Sequence, residues 1–110
     1  MSSEQIISFT TTKSVDQAAH DFETAVAQHK YGILHVHPVN ETLAKKGVIL
    51  ENKCMIYEIC NPFIAKQLFD HNMACSTVLP CRVAIYQDKD NTVKLATQNP
   101  VQTLSIFSVQ

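Results

Sequence analysis

The sequence has 110 residues, the length of one domain, and its apolar content of 45% lies in the globular rather than the disordered range. Nine basic side chains stand against ten acidic ones, a net charge of -1 with no clustered run of either sign, which argues against a nucleic-acid or anionic-membrane partner. No apolar run approaches the roughly 20 residues of a membrane span. Met1 to Gln5 carry no signal-peptide pattern, and four cysteines without an export signal point to reduced thiols in the cytoplasm.

Residues Ile6 to Thr12 read as a β-branched strand. Ser14-Val15-Asp16-Gln17 then fits a capping box, in which the Ser14 hydroxyl accepts from the Gln17 amide and the Gln17 side chain reaches back. Val15, Ala18, Ala19, Phe22, Ala25 and Val26 follow at helical spacing and form one apolar stripe. The helix should end near His29-Lys30, with Gly32 as its breaker. Ile33 to His37 reads as a second strand closed by Pro38, and Asn40 is placed to cap a short helix through Lys46, stopped by Gly47.

Lys53 to Cys60 is a third strand. Asn61-Pro62 is a strong helix start, a capping side chain followed by a proline whose missing N–H costs nothing at the first helical position. Phe63, Ala65, Leu68 and Phe69 supply that helix's apolar face. Leu79 to Gln87 and Thr92 to Thr97 form a hairpin across the polar turn Asp88 to Asn91. Asn99-Pro100 repeats the cap-plus-proline signal and opens a last helix with Val101, Leu104 and Phe107 inward. The order β-α-β-α-β-α-β-β-α over residues 1–110 implies a single α+β domain, a mixed, mainly five-stranded sheet with helices packed on it.

Three blocks of this sequence carry a resemblance. They are Tyr31-Gly32-Ile33-Leu34-His35-Val36-His37 with Asn40-Glu41-Thr42-Leu43 and Lys46-Gly47, then Glu58-Ile59-Cys60-Asn61-Pro62, then Leu79-Pro80-Cys81-Arg82-Val83. In this order they resemble the domain-of-unknown-function family numbered 302. The resemblance implies an α+β fold and a homodimer, and it implies no activity or cofactor.

The candidate chemistry comes from strand alternation. His35 and His37 alternate with Leu34 and Val36, so both imidazoles share one face, where they can reach one metal ion or stand as ordinary surface or satisfied core residues. Glu58 and Cys60 share a face with Cys54 and Ile56. A carboxylate among apolar neighbours needs a partner or solvent, so Glu58 is a metal ligand, a general base, an orienter for a histidine, or half of an ion pair with Arg82, Lys53 or a dimer partner. Cys60 precedes a helix start, which favours a thiolate, and Cys81 is a second soft candidate. An ordinary parallel crossover after Cys60 would place Cys81 at the far end of the sheet, nearer Cys54, and only an antiparallel return after Cys75-Ser76-Thr77-Val78 would bring Cys60 and Cys81 together.

Only two glycines are present, so no phosphate-cradling loop exists, and no CxxC or HExxH motif occurs. The reading that follows is a small-ligand or metal-binding module. His35, His37, Glu58, Cys60 and Cys81 are its candidate site, and His35, His37 and Glu58 its candidate metal set. A structural or partner-binding domain and a thiol-dependent enzyme using Cys60 are the alternatives.

Overall fold

The computed structural model describes residues 5–105. Strands β1 (Ile6–Thr11), β2 (Gly32–Pro38), β3 (Cys54–Cys60), β4 (Cys81–Gln87) and β5 (Val93–Gln98) alternate with helices α1 (Val15–Gln28), α2 (Val39–Ala44), α3 (Pro62–His71) and α4 (Pro100–Leu104). A 3-10 segment, Met73–Thr77, lies between α3 and β4. The element order is the expected one, and the chain is α+β. The sheet runs β1-β5-β4-β3-β2, and every neighbouring pair is antiparallel, where a mixed sheet was expected.

The reason lies in the connections. Residues 61–80 do not cross the sheet. α3 packs against the 3-10 segment, and the chain re-enters β4 at the end it left, through a cis Leu79–Pro80 peptide. Four successive antiparallel pairings leave the edge strands β1 and β2 parallel to each other, and α1 joins them across one face of the sheet.

That face holds the core. Val15, Ala18 and Ala19 of α1 are buried against Tyr57, Ile85 and Val93, with Phe22, Val36, Met55, Ile59 and Leu95 packed around them. The paired alanines let the helix lie close to the sheet, so a larger residue at Ala18 would overpack the contact at a cost of about 1–3 kcal/mol. Phe22 meets Tyr57 edge to face, ring centroids 5.1 Å apart. Ser14 caps the helix as expected, its Oγ accepting from the Gln17 amide at 3.1 Å. The Gln17 side chain does not reach back, however; its amide donates to Asp21 instead. Ala25 lies outside the buried stripe.

Chain reversals also depart from the simple reading. The left-handed residue after α1 is Lys30, at φ 63°, and Gly32 is already in β2. Gly47 does take the left-handed position expected of it, at φ 79°, where a side chain would be strained. Asn40 is not a helix cap. It sits inside α2, and its amide donates to the carbonyls of Leu50 and Asn52 while its Oδ1 accepts from the Cys54 amide. Asn61 and Asn99 cap α3 and α4 as expected. Phe63 and Val101, expected inward, are exposed, and Phe107 lies outside the described residues.

Candidate functional site

The second face of the sheet, opposite α1, carries the polar candidates. Antiparallel register sets His35 opposite Glu58 and Glu58 opposite Arg82, a row of three ionisable side chains across β2, β3 and β4. An irregularity between Ile33 and His35 takes up Leu34, after which His37 falls opposite Ile56. The imidazoles of His35 and His37 stand edge to face with centroids 4.0 Å apart. The alternation in the sequence therefore places both rings on the face where they were expected.

Glu58 is the centre of the group. Its Oε2 lies 3.0 Å from His37 Nε2 and 3.8 Å from Arg82 Nε. The His37 hydrogen bond holds the Glu58 carboxyl below the usual carboxylate range. Partial burial opposes that effect, and the charges of His37, Arg82 and His35 add to it. Lys53, the other cation weighed as a partner, bonds Asp16 instead. Glu58 thus hydrogen-bonds a histidine of the second strand and makes a longer ion pair with Arg82 through Nε.

The row borders a cleft of about 290 Å³ lined by His37, Val39, Thr42, Leu43, Ile56 and Arg82. The cleft exists because α2 starts directly after Pro38 and leans on β2 and β3, held there by the Asn40 bonds to the segment before β3. Arg82 and the α2 residues were not singled out in the sequence as site residues. Alternation gives Arg82 a face, but only the β3–β4 register sets it beside Glu58.

Of the two candidate thiols, Cys81 separates from this group and Cys60 does not. Antiparallel return pairs Ile59 with Cys81, so Cys60 and Cys81 lie at the same end of the sheet, and Cys54 sits far off opposite Tyr86. This is the antiparallel return, not the parallel crossover that would have put Cys81 nearer Cys54. As the cross-strand partner of Ile59, Cys81 shares the α1 face, whereas Cys60 shares the face of Glu58. Burial pushes the Cys81 thiol up, and neighbouring Cys60 raises it further. The Phe63 and Ile64 amides that open α3 donate to Asn61 Oδ1. Among the described residues, no group of three or more His, Cys, Asp or Glu side chains is arranged to hold a metal ion.

The family described as domain of unknown function DUF302 matches residues 7–109. The chain belongs to that family. A solved structure agrees in fold, the crystal structure of uncharacterized conserved protein DUF302 from Bacillus stearothermophilus, with a TM-score of 0.89 and 23% sequence identity. The match covers 96% of this chain and 81% of that one. No curated protein matches the sequence. No helix among the described residues is long and apolar enough to cross a membrane.

Proposed function

We propose that this DUF302 domain is a binding module for a small polar molecule on the open face of its sheet. His35, His37, Glu58 and Arg82 are the recognition groups, with Val39, Leu43 and Ile56 as the apolar wall. The observation that carries this reading is the His37–Glu58 hydrogen bond at the rim of the α2 cleft, with Arg82 on the same rim. A site of this kind needs an apolar wall and a few convergent polar groups, and the cleft has both. Glu58 Oε2 is engaged by His37, and among the described residues no group of three or more His, Cys, Asp or Glu side chains is arranged for a metal ion, so the proposed ligand is a polar molecule. Cys60 lies two residues beyond Glu58 on the same face, at the border of the proposed site.

Amide NMR titration of the full chain with acetate, inorganic phosphate and imidazole tests the proposal. Saturable shifts at His35, His37, Thr42, Glu58 and Arg82 support it. No shift from any of the three probes, with His37→Ala and Glu58→Ala lowering only stability, would leave these residues as structural. We also propose a homodimer. Support comes from large apolar side chains in the open, Phe63 at 77% exposure and Met73 at 68% among them. Sedimentation equilibrium decides that point, and a monomer at all concentrations would refute it.

A further inference from the structure

A second, larger cavity of about 670 Å³ shares Ile56 and Arg82 with the α2 cleft. Its origin is readable from the register. Ala84 of β4 pairs with Ala96 of β5, so two methyl groups stand side by side in the middle of the open face and leave a hollow there. Val78 and Leu79, before β4, and Leu104 of α4 wall the hollow. The volume falls in the range of about 300–1,000 Å³ typical of sites for small organic molecules.

The charge of the lining is one-sided. Arg82 is the one charged residue among the described residues that line this cavity. Its guanidinium is largely exposed, and its Nε stands 3.8 Å from Glu58, outside hydrogen-bonding distance. Glu58 spends its short contact on His37. Among the described contacts, the two terminal nitrogens of Arg82 have no partner, so the planar fork that grips carboxylates in a bidentate manner is uncommitted. A cavity with apolar walls and one available cation complements an apolar body that ends in an anion.

We infer that this cavity binds an amphipathic organic acid, its hydrocarbon over Ala84 and Ala96 and its carboxylate on Arg82. The inference rests on the reading of the open face as a binding surface and names the ligand class for it. A neutral or cationic amphiphile of the same shape would meet the same walls but could form no ion pair with Arg82.

The test is a titration of the full chain with octanoate, octanol and octylammonium below their micellar concentrations, followed by amide NMR. Octanoate should bind saturably with shifts at Val78, Ala84, Ala96 and Leu104. It should bind more tightly than octanol, and octylammonium should bind weakest. Arg82→Gln should weaken octanoate roughly tenfold or more, the size of one charge-assisted contact, and leave octanol unchanged. Ala84→Leu, which fills the hollow, should weaken both.

Octanol binding as tightly as octanoate, or octanoate unaffected by Arg82→Gln, would overturn the assignment. So would octanoate shifts confined to His37 and Thr42, which would keep the α2 cleft as a site and remove the larger cavity. If octanoate causes no shift while phosphate or acetate still moves His37, this inference falls alone. If no probe moves any residue, both readings fall together.

Discussion

His37 and Glu58 lie on adjacent antiparallel strands, and Nε2 of one meets Oε2 of the other at 3.0 Å although the two are not direct register partners. The bond is diagonal. Glu58 is opposite His35, yet its hydrogen bond goes to the histidine two residues further along β2. Because the bond lowers the folded-state proton affinity of Glu58, its contribution to stability is present above the unfolded carboxyl value and is lost as pH falls through the folded one. Glu58→Gln should therefore unfold at lower urea than the parent at pH 7, and the gap between the two midpoints should narrow at pH 3. A gap of equal size at both pH values would show that the charge is not what stabilises the pair.

Tyr57 is completely buried beneath α1, and its hydroxyl donates to Glu23 Oε2 at 2.5 Å. Burial raises the phenol well above its ordinary value, and the Glu23 hydrogen bond and charge add to the shift. A raised folded value means that stability is full below the ordinary tyrosine value of about 10 and is lost as pH climbs above it. Tyr57→Phe should cost about 1–3 kcal/mol at pH 7, through the lost charge-assisted bond. It should also remove Tyr57's share of the alkaline loss. Urea melts of both proteins at pH 7 and above pH 10 measure the two effects.

Asn40 ties α2 to the residues that precede β3 through two donated bonds and one accepted bond, each 2.8–2.9 Å long. Asn40→Ala should destabilise by about 1–3 kcal/mol, softened where water can replace the lost partners. Asn40→Asp separates clamping from simple polarity. It keeps the acceptor for the Cys54 amide but turns a carboxylate oxygen toward the carbonyls of Leu50 and Asn52. It should be no better tolerated than alanine, as read from thermal denaturation. Full stability in Asn40→Asp would mean that the donated bonds contribute nothing.

Asn40 also shows where the sequence stops being informative. Asparagine before a short amphipathic run is a cap signal, and at Asn61 and Asn99 the local signal and the fold agree. At Asn40 the partners lie 10–14 residues downstream, and no local pattern encodes them. The same boundary runs through the site. Which face each residue takes is a property of its own strand, so the pairing of His35 with His37 and the grouping of Glu58 with Cys60 could be read directly. Whether β4 runs parallel or antiparallel to β3 depends on how residues 61–80 pack, and that long-range fact moved Cys81 and brought Arg82 beside Glu58.

Lys30 holds the left-handed conformation that ends α1, with Tyr31 N–H bonded to the Val26 carbonyl at 3.2 Å. A Cβ in this region crowds the following carbonyl, which glycine avoids. Lys30→Gly should raise stability by about 0.5–1 kcal/mol, with binding at the open face unchanged. Chemical denaturation gives the comparison. A loss of stability would mean that the lysine side chain contributes more than its backbone strain costs.

The environments of two thiols, Cys75 and Cys81, set their reactivity. Cys75 is completely buried in the 3-10 segment, so iodoacetamide should modify it only at the rate of unfolding. Cys81 is half-buried, and both burial and Cys60 push its thiol above the ordinary value, which lowers its thiolate fraction at neutral pH. Its labelling at pH 7 should be slower than that of free cysteine and should accelerate as pH rises. Mass spectrometry of the native protein resolves the four sites individually. Fast labelling of Cys81 at pH 7 would contradict the protected environment.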